Sequence, residues 1–413
     1  MREANNRRLK LRTVVVVALC LVIGIPTAQA ESLRDAIMAA WAHDPDAKAA
    51  AVDSKASKKT ANALDSLFPS GPVLNGQYLD DHFIGSKVGY TTYQGSVSLP
   101  LWLPGQGTAS VKDALASVAT ADARLHVHRL LMAVRVLDVT SASTILKNEI
   151  FNLEKTRRIL SQTLESSQRA LTAGEISATD HEAVVAEYED IESTISDKQQ
   201  QLATFQSELQ ALTGSDVIPE LNSLDGRIIS LKIHKLDPEK DPRVRLVDAR
   251  LKKAQAAFDV AKHSYMPNPT IGVQISRQEQ YQSPWDTQVG VVFQAALPSR
   301  ARNTPMLMKN VSEIGAARRD AELARRKVRV EYARLRSQIA SSLSVRKHAE
   351  TSKTVLLKRA DQLESAWRTG EVPLIEYIRA RRGALEAEQR MAKAEVVWHA
   401  ALVRLVLMMG ETL

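Results

Sequence analysis

Charged side chains that follow two similar Gly-Glu segments are the residues best placed to do chemistry. The first segment contributes Glu175 and is followed by Asp180, and the second contributes Glu371 and is followed by Glu376 and Arg379. In a symmetric oligomer, one inward-facing carboxylate per chain forms a ring that attracts cations and can constrict a pore. Acidic residues are also common at helix N-termini simply because they interact favourably with the helix dipole. The sequence leaves both interpretations open.

Catalytic arrangements are not recognisable. No Ser-His-Asp set, glycine-rich phosphate loop or carboxylate pair on a rigid scaffold can be identified. His126 and His128 are two positions apart in a helical pattern, so they point to different sides and do not predict a shared metal site. We therefore predict a protein that is not an enzyme and that carries neither cofactor nor bound metal.

Residues 1–30 predict an exported protein. Basic residues precede an apolar run from Val14 to Ile25, and Ala28-Gln29-Ala30 then matches a signal-peptidase site. A dozen or so apolar residues are too few for a membrane-spanning helix. The single cysteine, Cys20, lies in this segment, and lipidation there is disfavoured because Leu19 is not small. The mature chain therefore offers no disulfide or cysteine metal site.

The charge balance of the mature chain is close to neutral. The signal segment carries five of the 55 Lys and Arg residues and one of the 47 Asp and Glu residues, which leaves 50 against 46. Such a balance does not predict nucleic-acid binding.

The rest of the chain is one unit that occurs twice. Residues 173–214 and 369–410 have equal length and each contains Gly-Glu at its second and third positions. Earlier landmarks recur at similar offsets, such as Asp44-Pro45 and Asp241-Pro242. We divide the chain into a signal peptide (1–30), a first repeat (31–214), a connector (215–240) and a second repeat (241–413).

Each repeat contains a candidate β-hairpin, formed by residues 73–79 and 92–99 in the first copy and 271–276 and 289–297 in the second. Alternating segments flanked by aromatic residues are typical of transmembrane β-barrels, although a sheet on a soluble core alternates in the same way. Four strands cannot close a barrel, and lipid does not tolerate open sheet edges. A membrane location therefore requires several chains to build one barrel.

Very long helices follow the hairpins. Apolar residues recur at strict seven-residue spacing in the first repeat, at Val118, Leu125, Met132, Val139, Leu146, Leu153 and Leu160. The same frame falls 196 residues later on Ile314, Ala321, Val328, Leu335, Ser342, Ala349 and Leu356. This period predicts left-handed supercoiling against a partner helix.

Residues 109–172 would form a helix about 95 Å long. The returning helices, 178–213 and 374–409, complete two antiparallel hairpins with the Gly-Glu segments at their tips. A basic cluster on the second long helix predicts a solvated face, and comprises Arg318, Arg319, Arg325, Arg326, Lys327 and Arg329.

Together these features resemble the TolC-type outer-membrane efflux proteins over residues 31–410. The most specific parts are two segments, each of which starts with a Gly-Glu motif and ends at a glycine. The first starts with the motif at residues 170–176 and ends at Gly214, and the second starts with the motif at residues 366–372 and ends at Gly410. The resemblance implies a mainly α fold with a small transmembrane β part, in which coiled-coil hairpins form an α-barrel. Four strands per chain would contribute to a trimeric 12-stranded β-barrel. The expected partners are a homotrimer, outer-membrane lipid, a periplasmic adaptor (membrane fusion protein) and an inner-membrane pump of the RND type.

The resemblance also implies functional positions. The adaptor-docking tips fall on Ala173, Gly174, Glu175, Thr369, Gly370 and Glu371. The first acidic constriction position falls on Glu376, with Asp180 as its counterpart in the other repeat. The second acidic position is Arg379, which departs from the family pattern, so we hypothesise a mixed Glu376/Arg379 gate.

Two alternatives to an efflux channel stay open. One is a soluble periplasmic coiled-coil scaffold or adaptor whose hairpins form a small sheet. The other, a hydrolase, lacks a nucleophile and base that can be named. For cargo, residues 266–269 (Met-Pro-Asn-Pro) are similar to the heavy-metal branch of the family. The chain lacks a metal-ligand cluster, so organic drugs or a secreted peptide remain candidates beside metal cations.

Overall fold

A computed structural model describes residues 32–80, 90–221, 237–280 and 283–409. The predicted signal peptide, most of the connector, Tyr281 between the strands of the second hairpin, and Gly410 near the end of the second repeat lie outside the described residues.

The same order of elements occurs twice along the chain. The first half contains α1 (Leu33–His43), α2 (Pro45–Leu64), β1 (Val73–Asp80), β2 (Tyr90–Pro100), α3 (Gln106–Thr172) and α4 (Ala178–Thr213). The second half contains a short 3-10 helix (Pro238–Lys240), α5 (Pro242–His263), β3 (Thr270–Gln280), β4 (Asp286–Gln294), α6 (Arg300–Arg368) and α7 (Leu374–Met408). None of these described helices is long and apolar enough to cross a bilayer.

Both Asp-Pro pairs begin a helix. Asp44 separates α1 from α2, and its carboxylate accepts hydrogen bonds from the backbone N–H groups of Asp46 and Ala47. Asp241 caps α5 in the same way, by accepting from the N–H of Arg243. The proline that follows occupies the first helical position, where a missing N–H costs no intrahelical bond. The Asp-Pro pairs therefore mark equivalent helix starts in the two repeats.

The long helices α3 and α6 have 67 and 69 residues, which corresponds to about 100 Å each. None of the 14 positions of the predicted seven-residue frame is exposed. Helices α2 and α5 flank the N-terminal part of α3, whereas α4 and α7 pack against its C-terminal part. The seven-residue frame thus marks the side of each long helix that faces its neighbours.

The largest apolar core lies where α1, the middle of α3, the start of α5, the middle of α6 and the end of α7 converge. Tyr332 on α6 is buried there, and its hydroxyl donates a 3.0 Å hydrogen bond to the carbonyl of Met408 near the end of α7. The fully buried large side chains of this core include Leu33, Val136, Leu137, Val244, Val403 and Leu405. This core joins both repeats in a single unit.

The two hairpins form one antiparallel sheet with strand order β1-β2-β3-β4. One row across the sheet aligns Leu74, Val97, Val273 and Val291, and a row on the opposite face aligns Gln77, Gln94, Ser276 and Gln288. The predicted alternation is confirmed on β2 and β3, whereas Val73 and Leu79 of β1 and Val292 of β4 lie on the same face as the polar row. β4 ends at Gln294, before the predicted residue 297, because Gln294 already lies opposite Thr270, the first residue of β3.

The basic cluster on α6 is not a uniformly solvated face, and the prediction is wrong for Arg325. Its side chain is only 23% exposed, because the 3-10 helix and α5 pack over this part of α6. It donates hydrogen bonds to Glu239 and Asp248, and Arg329 also donates to Glu239. These bonds hold the pKa of the Glu239 carboxyl below its usual value. Arg319, by contrast, is exposed and pairs with the neighbouring Asp320.

Asp241 provides a test of how the second repeat is anchored. Its side chain is completely buried and accepts from Arg243 Nε at 3.0 Å and Nη2 at 2.9 Å, while Arg243 Nη1 donates to Glu331 at 2.6 Å. We expect Asp241→Ala to destabilise the protein by about 3 kcal/mol, because it removes a helix cap and leaves the half-buried guanidinium without its main partner.

The measurement is thermal unfolding of the purified full-length protein. Asp320→Ala is the matched control, since it removes an exposed aspartate that also pairs with an arginine. Equal stability losses in the two variants would contradict the anchoring role of Asp241.

Candidate functional site at the helical tips

The tip of the first helical hairpin is a tight turn centred on Gly174. Gly174 has φ 72°, a left-handed conformation that residues with a Cβ adopt at a cost. Its N–H donates to the carbonyl of Leu171 at 3.0 Å, and the N–H of Glu175 donates to the carbonyl of Ala170 at 2.9 Å. This pair of bonds is the Schellman motif, which satisfies the last carbonyls of α3.

The second tip repeats this geometry on different residues. Gly370 has φ 78°, and its N–H donates to Trp367 at 3.0 Å. The N–H of Glu371 donates to the carbonyl of Ala366 at 2.9 Å. The Gly-Glu pairs therefore recur because each terminates a long helix and reverses the chain within five residues.

Both tips project into open space. The six residues proposed for docking, Ala173, Gly174, Glu175, Thr369, Gly370 and Glu371, are all exposed. A Cβ added at either glycine would meet no atom within 4 Å. Each tip thus offers a small, backbone-rich surface with one carboxylate, which suits close approach by another protein.

Asp180 belongs to the N-cap of α4. The hydroxyl of Ser177 accepts from the N–H of Asp180 at 3.1 Å and donates to its Oδ2 at 2.7 Å. The side chain is exposed, yet it is engaged locally and lies in the first turn, where the helix dipole favours an acidic residue. These contacts support the local role that the sequence left open for Asp180.

Glu376 and Arg379 differ from Asp180. Both are exposed, and they lie one turn apart at the start of α7, which begins after Pro373 without a side-chain cap. Within the part of the chain that the structure describes, neither side chain has a hydrogen-bond or ion-pair partner. Their charges are therefore available to an ion or to another subunit.

An aromatic pair beside the second tip was not predicted from the sequence. Trp367 and Tyr377 stack with ring centroids 5.3 Å apart and an interplanar angle of 4°. Tyr377 is buried, and this burial, together with the carboxylate of Glu364, raises the pKa of its phenol. In the first hairpin the place of Tyr377 is taken by His181, whose Nδ1 lies 3.0 Å from Ser167 Oγ. The only available signal was two aromatic residues flanking one Gly-Glu segment.

Ion pairs between the two hairpins were also not predicted. Arg382 on α7 donates to Glu187 on α4, and Lys155 on α3 lies 3.4 Å from Glu388 on α7. These contacts tie the second hairpin to the first beyond the tips. No periodic pattern could reveal them, because the partners lie about 200 residues apart in the chain.

Comparison with known proteins identifies the fold. No protein-family model matches the chain, and no curated protein sequence matches it. Among solved structures, it is similar to the outer membrane protein VceC from Vibrio cholerae, with 15% identity, a TM-score of 0.73 and coverage of 92% of this chain and 96% of that one. A membrane protein from Pseudomonas aeruginosa matches with 15% identity, a TM-score of 0.73 and coverage of 91% of this chain and 90% of that one. CusC, described as forming a transmembrane channel, matches with 14% identity, a TM-score of 0.68 and coverage of 92% of both chains.

These similarities extend over almost the whole length of each chain, and they confirm the mainly α fold with a small antiparallel sheet. At such low identity they establish the fold alone.

The left-handed conformation of Gly370 provides a test of the tip geometry. We expect Gly370→Ala to cost about 1 kcal/mol locally and so to raise amide hydrogen exchange at residues 369–373 about fivefold. Gly383→Ala is the matched control, because Gly383 lies inside α7 with open space at its Cβ position and alanine there is favourable. Unchanged exchange at the tip of Gly370→Ala would show that the turn does not depend on glycine.

Proposed function

We propose that this chain is one subunit of a trimeric outer-membrane channel in a tripartite efflux or secretion system of a Gram-negative bacterium. The channel would extend into the periplasm and conduct substrate passively from a periplasmic adaptor and an inner-membrane pump of the RND type to the exterior. The observation that carries this proposal is the four-stranded sheet, which exposes a continuous apolar face and has two open edges.

The apolar face of the sheet has no cover within the described chain. Leu74, Val289, Val291 and Phe293 are 78%, 70%, 75% and 64% exposed, and the strands contact mainly one another. Leaving such a patch in water is unfavourable, whereas a lipid environment would bury it. Tyr78, Tyr93 and Trp285 cluster at one end of this face, as expected for a ring of aromatic residues at a membrane interface.

The opposite face is polar. Glutamines, serines and threonines line it, and the row of Gln77, Gln94, Ser276 and Gln288 crosses all four strands. A polar face that lacks charge across this row suits a water-filled lumen that passes many solutes. It supports a permissive conduit and not a specific cargo site, so metal cations and organic drugs both remain compatible as cargo.

Open edges require other copies of the chain. β1 and β4 are unpaired on their outer sides, and lipid does not tolerate unpaired backbone groups. The edge helix α6 also exposes apolar side chains along its length, at Met308, Val311, Leu323, Val330, Leu343, Val345 and Val355. Three copies would provide 12 strands, close the barrel and cover these side chains.

The helical tips would dock the adaptor. Their exposed, glycine-centred turns lie at the far end of helices about 100 Å long, opposite the sheet. A barrel in the outer membrane would therefore place residues 173–175 and 369–371 deep in the periplasm. Docking at this end fits a channel that receives substrate from a partner anchored in the inner membrane.

Glu376 and Arg379 would form the constriction. Three copies of each would create adjacent rings of opposite charge, one turn apart at the start of α7. Asp180 is held by Ser177 in the capping arrangement, so we assign it a weaker part in the constriction. The contacts of Arg382 with Glu187 and of Lys155 with Glu388 would oppose outward movement of the second hairpin, which widens the pore.

A soluble periplasmic scaffold or adaptor is the competing function. It is disfavoured because its sheet would need a cover for the exposed apolar face. The test is to express the full chain, fractionate the envelope and reconstitute the detergent-extracted protein in planar bilayers. Recovery in the outer-membrane fraction with stepwise conductance supports the channel, and extraction by buffer alone without conductance contradicts it.

Neutralising Glu376 tests the constriction. We expect Glu376→Gln to lower the cation-to-anion permeability ratio roughly threefold, since a ring of carboxylates in water-filled space provides attraction of about 0.6 kcal/mol. Arg379→Gln should change the ratio in the opposite direction. Reversal potentials in a KCl gradient measure both effects, and an unchanged ratio in Glu376→Gln would remove this residue from the pore.

Breaking the contact between the hairpins tests the closed state. We expect Arg382→Gln to increase resting single-channel conductance, because the second hairpin loses its ion pair to Glu187. Arg390→Gln is the control, since Arg390 pairs only with Glu386 of the same helix in the described structure. Equal conductance in both variants would show that the Arg382 contact does not restrain the pore.

A further inference from the structure

We propose that adjacent subunits join their sheets in one defined register, with Phe293 on β4 opposite Gly76 on β1 of the next copy. This inference rests on the proposed trimer and goes beyond it, because a closed barrel could form in several registers that all keep the apolar face outside. The internal repeat supplies the information that selects one of them.

β1 and β3 are equivalent strands. Val73 follows Pro72 and Thr270 follows Pro269, and in both strands a glutamine occurs four residues after the first position. The pairing of β2 with β3 inside one chain is therefore a template for the pairing of β4 with β1 of the next copy. In both cases the last strand of one hairpin meets the first strand of another.

The partner of the first residue of β1 or β3 differs by two positions between the pairing inside a hairpin and the pairing between hairpins. On β2, Ser98 lies opposite Val73, and Pro100 lies opposite Thr270. On β4, Gln294 lies opposite Thr270. Repeating the two-residue advance places Ala296 opposite Val73 of the next copy.

Antiparallel pairing then sets Phe293 against Gly76 and Val292 against Gln77 of the next copy. β4 would also extend two residues past Gln294, into the segment whose alternation already predicts strand.

The strand tilt of the closed barrel is compatible with this register and disfavours a smaller stagger. A path straight across the sheet runs from Val73 through Ser98 and Gly272 to Val292. In the proposed register it continues to Gln77 of the next copy, four residues beyond its start.

Three copies therefore accumulate a stagger of 12 residues around 12 strands. With about 3.3 Å per residue and about 4.8 Å between strands, the strands tilt by about 35°, within the usual range. A stagger that is two residues smaller per copy would give a strand tilt of about 19°, and one that is two residues larger would give about 46°.

The side chains at the two edges are complementary in this register. A Cβ at Gly76 would meet no atom within 4 Å, and its neighbour across the hairpin, Gly95, is equally open. The apolar face thus has a gap at the β1 edge, between Leu74 and Tyr78. Phe293 is a large exposed side chain at the β4 edge. An aromatic ring lying over a cross-strand glycine fills such a gap and helps to specify register.

Pairs of cysteines can measure the register directly. The only natural cysteine, Cys20, lies in residues 1–30, so introduced pairs are easily distinguished from it. On the apolar face, Phe293→Cys is combined in turn with Leu74→Cys, Gly76→Cys or Tyr78→Cys. On the polar face, Val292→Cys is combined with Asn75→Cys, Gln77→Cys or Leu79→Cys. Two consecutive positions are used because antiparallel pairs alternate between closer and wider spacing.

The full-length protein is extracted in detergent, its assembly is checked by size-exclusion chromatography under reducing conditions, and disulfides are then formed by mild oxidation. Non-reducing denaturing gels report covalent dimers and trimers. Wild type and each single-cysteine variant serve as controls. A shift of two residues moves the Cα atoms to about 8 Å apart, beyond the reach of a disulfide.

We expect covalent trimers from Phe293→Cys/Gly76→Cys or Val292→Cys/Gln77→Cys, and only background from the other four combinations. Trimers formed preferentially by an off-register combination would overturn the register while leaving the trimer intact. Absence of cross-links from all six combinations would overturn the contact between β1 and β4, and the proposed trimeric barrel with it.

Discussion

Backbone hydrogen bonding at the edges of the sheet is the constraint on which the rest of the structure depends. The described chain makes four strands with an apolar face and a polar face, and it leaves the outer sides of β1 and β4 unpaired. In hydrocarbon each unpaired N–H or C=O group is costly, so the sheet can enter a membrane only as part of a closed barrel. In the proposed trimer, neighbouring copies of the chain would pair the open edges and cover the exposed apolar side chains of α6, while lipid would cover the apolar face of the sheet.

The internal repeat extends this arrangement from the sheet to the helices. α3 lies at the centre of the folded helices, where it packs against α2 and α5 near the sheet and against α4 and α7 towards the tips. α6, its equivalent in the second repeat, packs against α5 and α7 and leaves one side open. In the sheet and among the long helices, a contact that forms between the two repeats of one chain therefore has an equivalent position that stays open in the described chain. A neighbouring subunit would occupy the open position, so that six similar units surround one channel.

Local and periodic features could be predicted from the sequence. The seven-residue frame of the long helices, the alternation in the strands, the Asp-Pro caps and the Gly-Glu turns depend on residues close together in the chain. The sequence could not predict the pairing of β2 with β3, the burial of Arg325 or the contact of Arg382 with Glu187, because each of these joins residues far apart in the chain. The sequence left the charged residues after the Gly-Glu segments open between a pore ring and ordinary helix-end acids, and the resemblance assigned Glu376 and Arg379 to the constriction. The structure adds that Asp180 is locally bonded whereas Glu376 and Arg379 have no partner in the described chain.

The proposed trimer can be tested by counting the chains in the complex extracted from the membrane. Native mass spectrometry of the protein released from outer membranes into detergent counts the copies without assuming their arrangement. The account predicts a single species of three chains that persists after dilution, since closure leaves no free strand edge. Monomers or dimers that stay folded in detergent would contradict it, because four or eight strands of this sheet would then have to exist in the membrane with open edges.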